Sequence, residues 1–147
     1  MYLNSTAAKG NSSSGLPTST VFNLSAGTQV NGSGIAYISY LFATLDGISK
    51  VGTYSGTGSN INVDCGFTAG ARFILIKRTD SAGDWYVWDT VRGIVSGNDP
   101  YLLLNSNAAQ VTNTDYIDPL NAGFTVTSSA PAALNTSGGT YLFFAIA

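Results

Sequence analysis

The sequence predicts an all-β fold, an antiparallel β-sandwich of jelly-roll-like type in which a partial repeat precedes a complete one. Two compositional observations and one pattern lead there. Charged residues make up 10% of the 147, every acid is Asp, and the polar remainder is dominated by Ser, Thr, Asn and Gly. Glu and Lys favour helices, whereas Thr, Tyr, Phe and Val suit a pleated surface. Seventeen glycines supply tight turns. The pattern is a series of short apolar runs, each bounded by Gly, Asn, Ser or Pro.

In chain order the expected strands are Thr20–Ser25, Ile35–Ala43, Ser49–Tyr54, Asn60–Phe67, Arg72–Arg78, Asp84–Asp89, Tyr101–Leu104, Gly123–Thr127 and Thr140–Ala147. Asp115–Leu120 reads as a single helical turn. Ile35–Ala43 and Tyr141–Ala147 lose their alternation and read as apolar on both faces. Such strands belong in the middle of a sheet, covered on both sides. Arg72–Arg78 and Asp84–Asp89, separated by Thr79–Gly83, form a hairpin pattern with a five-residue loop. The chain is long enough to fold around a core without staples. Its single cysteine, Cys65, allows no intrachain disulfide and reads as a free, buried thiol.

An internal repeat organises the chain. Asn31–Ala43 aligns with Asn135–Ala147 at an offset of 104, with five of thirteen positions identical. Asn4–Ala8 aligns with Asn105–Ala109 at an offset of 101, with four of five identical, and Phe22 falls opposite Phe124 at an offset of 102. The drift corresponds to a three-residue loop difference. Residues 1–47 therefore read as the second half of a unit, and residues 48–147 as a complete unit. Buried unpaired backbone groups are costly and exposed ones are sticky. The strands of the half-unit are thus expected to pair with the complete unit or with a neighbouring chain.

The chemistry that the residue types allow is narrow. There is no His and one Cys, which removes His-based triads, zinc sites and thiol–imidazole pairs. The expectation is a protein that is not an enzyme and needs no cofactor or metal. Trp85, Tyr86 and Trp88 could offer a sugar-stacking platform or fill an interface. Trp85 and Trp88, three residues apart on a strand, point to opposite faces, so one serves a core and the other a surface at most. Asp80 and Asp84 bracket a loop in which turn chemistry outweighs calcium binding, because the alternating ligands of a calcium loop are missing. Asp89 and Arg92 are placed for a local salt bridge, with Asp84 as an alternative partner for Arg92. Gly56-Thr57-Gly58 is a turn rather than a phosphate loop, since no helix follows it.

A formal net charge of −2 without a basic patch argues against nucleic acid. No apolar run reaches 18 residues, which argues against membrane insertion by a helix, and the polar start lacks the apolar core of a signal peptide. So few charges leave little repulsion between molecules, a property that suits life inside a large assembly.

Phe73–Arg92, together with Gly123-Phe124 and Asn135–Tyr141, resembles an uncharacterised C-terminal module of marine and cyanobacterial tailed-phage structural proteins of tail-fibre-like type. Tyr2–Ala8, Thr18–Phe22 and Val30–Gly34 resemble the end of a preceding copy. The resemblance implies a phage virion protein on the outer surface of tail or head. It implies a tail-fibre or adhesin module, homo-oligomeric and expected to be trimeric, touching other virion proteins and a host surface glycan. The alternatives are a capsid decoration protein and a glycan-binding or glycan-degrading module. It brings no catalytic residues.

Overall fold

The structure, a computed structural model, describes residues 3–10, 18–25, 27–28 and 30–147. Tyr2, one of the residues carrying the family resemblance, lies outside them. Contacts divide the chain into one unit comprising Met1–Lys9 and Phe42–Ala147 and a second comprising Gly10–Leu41. The sequence-based boundary at residue 47 differs from this division at both ends. The opening segment joins the complete unit because Lys77 Nζ donates to the Thr6 carbonyl, Gly83 N–H to the same carbonyl, and Lys9 N–H to the Thr79 carbonyl.

The larger unit is a two-sheet β structure. In chain order its strands are β1 (Ser49–Ser55), β2 (Ile61–Asp64), β3 (Phe73–Arg78), β4 (Trp85–Asp89), β5 (Leu102–Leu103), β6 (Ile117–Leu120), β7 (Gly123–Val126) and β8 (Thr140–Ile146). A short helix, α1 (Ala132–Asn135), precedes β8. One sheet runs β1-β8-β3-β4-β5 and the other β2-β7-β6, and every pairing is antiparallel. β1 pairs with β8, β2 with β7 and β4 with β5, the nested pairing of a jelly roll. β3 departs from that scheme by pairing with β4 and β8 rather than with β6.

The core lies between the sheets. Ile74, Ile76, Trp88, Tyr141 and Ala145 from the large sheet face Ile117, Phe124 and Val126 from the small one, all of them fully buried. Phe124 meets Phe143 edge-on at 5.5 Å. Gly52 sits opposite Phe143 in the β1–β8 ladder, and a Cβ there would lie 2.6 Å from the Phe143 ring, so the missing side chain makes room for the aromatic one. β8 is central and apolar on both faces, as its sequence predicts. Tyr141, Phe143 and Ala145 point to the core, while Leu142 and Phe144 point outward and are half-buried. Cys65 is buried and free, and burial pushes its thiol up to about 11.

Three expectations fail, each for a physical reason. Ile117–Leu120 lies within the predicted helical turn but is a strand, because Ile117 pairs with Val126 and Leu120 with Gly123. Its Pro119 is tolerated because β6 is a sheet edge. Ile35–Ala43 and Thr20–Ser25 form no strand. Their sequence counterparts β8 and β7 each gain strand geometry by pairing on both sides, and these two segments have no such partners among the described residues.

Candidate functional site

Trp85, Tyr86 and Trp88 all lie on β4, and none presents an open ring. Trp88 is fully buried in the sandwich, where its Nε1 donates to the Asp99 carbonyl at 3.2 Å. Tyr86 shares that face, stacked on Trp88 at 5.7 Å, and both rings pack against Tyr101. Trp85 points the other way, as period-two alternation requires. It lines an apolar recess on the outer face of the large sheet with Leu3, Phe42, Val51, Leu75 and Leu142, and is 7% exposed. Lys77 lies opposite it in the ladder and is fully buried. Its ammonium is satisfied by the Thr6 and Gly83 carbonyls, and desolvation lowers its pKa while Asp84 partly restores it.

The carboxylates are dispersed over separate structural tasks. Asp80 pairs with Arg78 and accepts the Thr140 N–H; the Arg78 hydrogen bond comes first among the causes holding its carboxyl well below the usual range. Asp84 accepts from the Asn105 amide, whose oxygen takes the Trp85 N–H. Asp89 pairs with Arg92 and accepts the N–H groups of Val91 and Arg92. Asp99 is fully buried, and its two oxygens accept the Tyr116 and Ile117 N–H groups at 2.8 and 3.1 Å. Burial still pushes its carboxyl up to about 6. Among the described residues, no three His, Cys, Asp or Glu side chains are grouped to hold a metal.

The turn at Gly56–Ser59 is closed from within. Asn135 Oδ1 accepts the N–H groups of Thr57 and Gly58 at 3.0 and 3.1 Å, and its Nδ2 donates to the Ser59 and Thr127 carbonyls. The donors that a phosphate would need are therefore occupied. A Cβ on Gly56 would lie 2.2 Å from the Thr136 carbonyl oxygen, so the two segments touch backbone to backbone.

The internal repeat is visible in the hydrogen bonds. Tyr141 Oη accepts the Thr136 N–H and donates to the Ala132 carbonyl, each at 2.8 Å. At an offset of 104, Tyr37 Oη accepts the Gly32 N–H at 2.9 Å and donates to the Thr28 carbonyl at 2.7 Å. Val30 and Asn31 both donate their N–H groups to Gly27, as Leu134 and Asn135 do to Pro131. Ile35 N–H bonds the Gly32 carbonyl as Gly139 N–H bonds that of Thr136. Gly34 and Gly138 share a left-handed backbone, φ 73° and 77°. The earlier block matches at an offset of 101, where Ser5 and Ser106 take the N–H groups of Ala7 and Ala108 through their hydroxyls.

Burial is where the two copies part. Phe124, Val126, Leu134 and Tyr141 are fully buried, whereas their counterparts Phe22, Leu24, Val30 and Tyr37 are 42–49% exposed. Ile38, Tyr40 and Leu41 reach 83%, 80% and 73%. The aligned letters were legible in the sequence; the loss of cover was not, because it depends on which strands lie alongside.

A family model described as a domain of unknown function, DUF7483, matches residues 1–147. No curated protein and no solved structure matches the chain.

Proposed function

The chain belongs to the DUF7483 family, and from that premise we propose that it is a non-enzymatic structural module of a tailed-phage particle, of tail-fibre or adhesin type, working by assembly. The observation that carries this reading is the exposed apolar row Ile38–Leu41 within a stretch, residues 10–45, that contains no charged residue. Contiguous exposed apolar surface marks interaction sites on folded proteins. Related strands of neighbouring modules would cover it, and weak single attachments to a host glycan would gain strength through linked copies. The family resemblance of Phe73–Arg92 supplies the phage context.

Placement on the head, as a decoration protein accepting strands across subunits, uses the same surface. Antibody labelling of purified particles by electron microscopy tests both placements. Label along the tail supports the adhesin reading, and label on the shell replaces it with decoration. Particles that carry no label would remove the virion role altogether.

A further inference from the structure

Over residues 27–28 and 30–37 the half-unit keeps the hydrogen bonds of a second half, and that match specifies what would cover it. In the complete unit, the second half is closed by β1, the Gly56–Ser59 turn and β2. Tyr54 on β1 stacks on Tyr141 at 4.9 Å and donates its hydroxyl to the Leu134 carbonyl. Residues 49–55 run along residues 140–146, and residues 61–64 run along residues 123–126. The turn between them is held by the Asn135 amide, whose acceptor and donor groups are all used.

Counterparts of those docking features recur in the half-unit. Tyr37 stands for Tyr141, with its hydroxyl bonded identically. Asn31 stands for Asn135, with the same backbone bond to the residue four positions earlier. Its amide is exposed, and no side-chain partner holds it among the described residues. Ala36–Leu41 stands for most of β8, and no backbone N–H or C=O between those residues finds a partner among the described ones. Val21–Leu24 stands for β7.

We infer that this face is the acceptor for a first half of the same module, a β1–turn–β2 segment resembling Ile48–Asp64, supplied from outside residues 1–147. A second copy of residues 1–147 is the weaker candidate. Each such copy holds two second halves and one first half, and that first half is already closed. However many copies meet, acceptors outnumber donors. Recognition would proceed by strand addition, with backbone pairing for affinity and the Asn31 amide and Tyr37 ring fixing the register. The absence of charge in residues 10–45 fits a covering segment as neutral as Ile48–Asp64, whose own charges are Lys50 and Asp64. This inference rests on the assembly reading above and names the segment it requires.

The test uses the intact chain and a synthetic peptide of sequence Ile48–Asp64. Saturable binding is expected, with new hydrogen-exchange protection at Ala36–Leu41, and binding weakened about tenfold in Asn31→Ala, the loss of roughly one well-made hydrogen-bond set. That variant leaves every residue of the complete unit in place. Three results would overturn the inference. The peptide fails to bind; Asn31→Ala binds it equally, which indicates exchange with the chain's own β1–β2; or Ala36–Leu41 is protected without peptide, at concentrations where copies associate. None of these depends on where the protein sits on a particle, so the functional proposal stands or falls separately.

Discussion

Asp99 shows how a single buried carboxylate can fasten a loop and still carry a pH signature. Both of its oxygens are engaged by backbone N–H groups, yet burial dominates and raises its pKa to about 6. Between about pH 4 and 6 the folded chain keeps this proton while the unfolded chain has released it. The contribution of Asp99 is therefore most favourable below about pH 4, declines as pH rises through 6 and is level beyond. The size of the decline is on the order of 2–3 kcal/mol, since each tenfold difference in proton affinity between the folded and unfolded chain is worth about 1.4 kcal/mol. Denaturant titrations at a series of pH values check it. Asp99→Asn removes the decline and lowers stability at pH 7 by about 1–3 kcal/mol, because its amide nitrogen faces a backbone donor.

At the scale of elements, the close approach of β2 and β7 is set by one missing side chain. A Cβ at Gly123 would lie 2.1 Å from the Val63 carbonyl oxygen and 3.0 Å from the Cys65 nitrogen and sulfur. The backbone atoms among these belong to the ladder and cannot swing aside. Gly123→Ala is expected to lower stability by about 2–4 kcal/mol, read as a fall in denaturation midpoint, by forcing the small sheet apart. The strands of the large sheet were legible because each is a short apolar run between turn residues. β8 was even placed correctly as a central strand, from its loss of alternation. β6 was hidden by Pro119, which argues against a strand except at an edge, and edges are a property of the assembled sheet. Ile35–Ala43 carries the same two-faced pattern as β8 and is no strand. Pattern states what a segment is suited to, while pairing depends on partners that pattern does not contain. The site followed the same rule. The opposed directions of Trp85 and Trp88 follow from spacing alone, but the burial of Trp85 required the opening segment to bring Leu3 over the outer face, and nothing in its mostly polar letters announces that.

Across the whole complete unit, the nested pairing decides where its two ends emerge. β1 and β8 are antiparallel neighbours, with Ser49 opposite Ile146 and the Ala147 N–H bonded to the Ile48 carbonyl. Entry and exit are side by side at one end of a ladder. A pull applied at residues 48 and 147 would therefore load that ladder's hydrogen bonds one after another instead of all together. Single-molecule stretching should find this unit opening at low force, as a zip fastener does, and well below sheets whose terminal strands are loaded in shear. A string of such units, if one is formed, would lengthen under drag by giving way piece by piece, each absorbing part of the load.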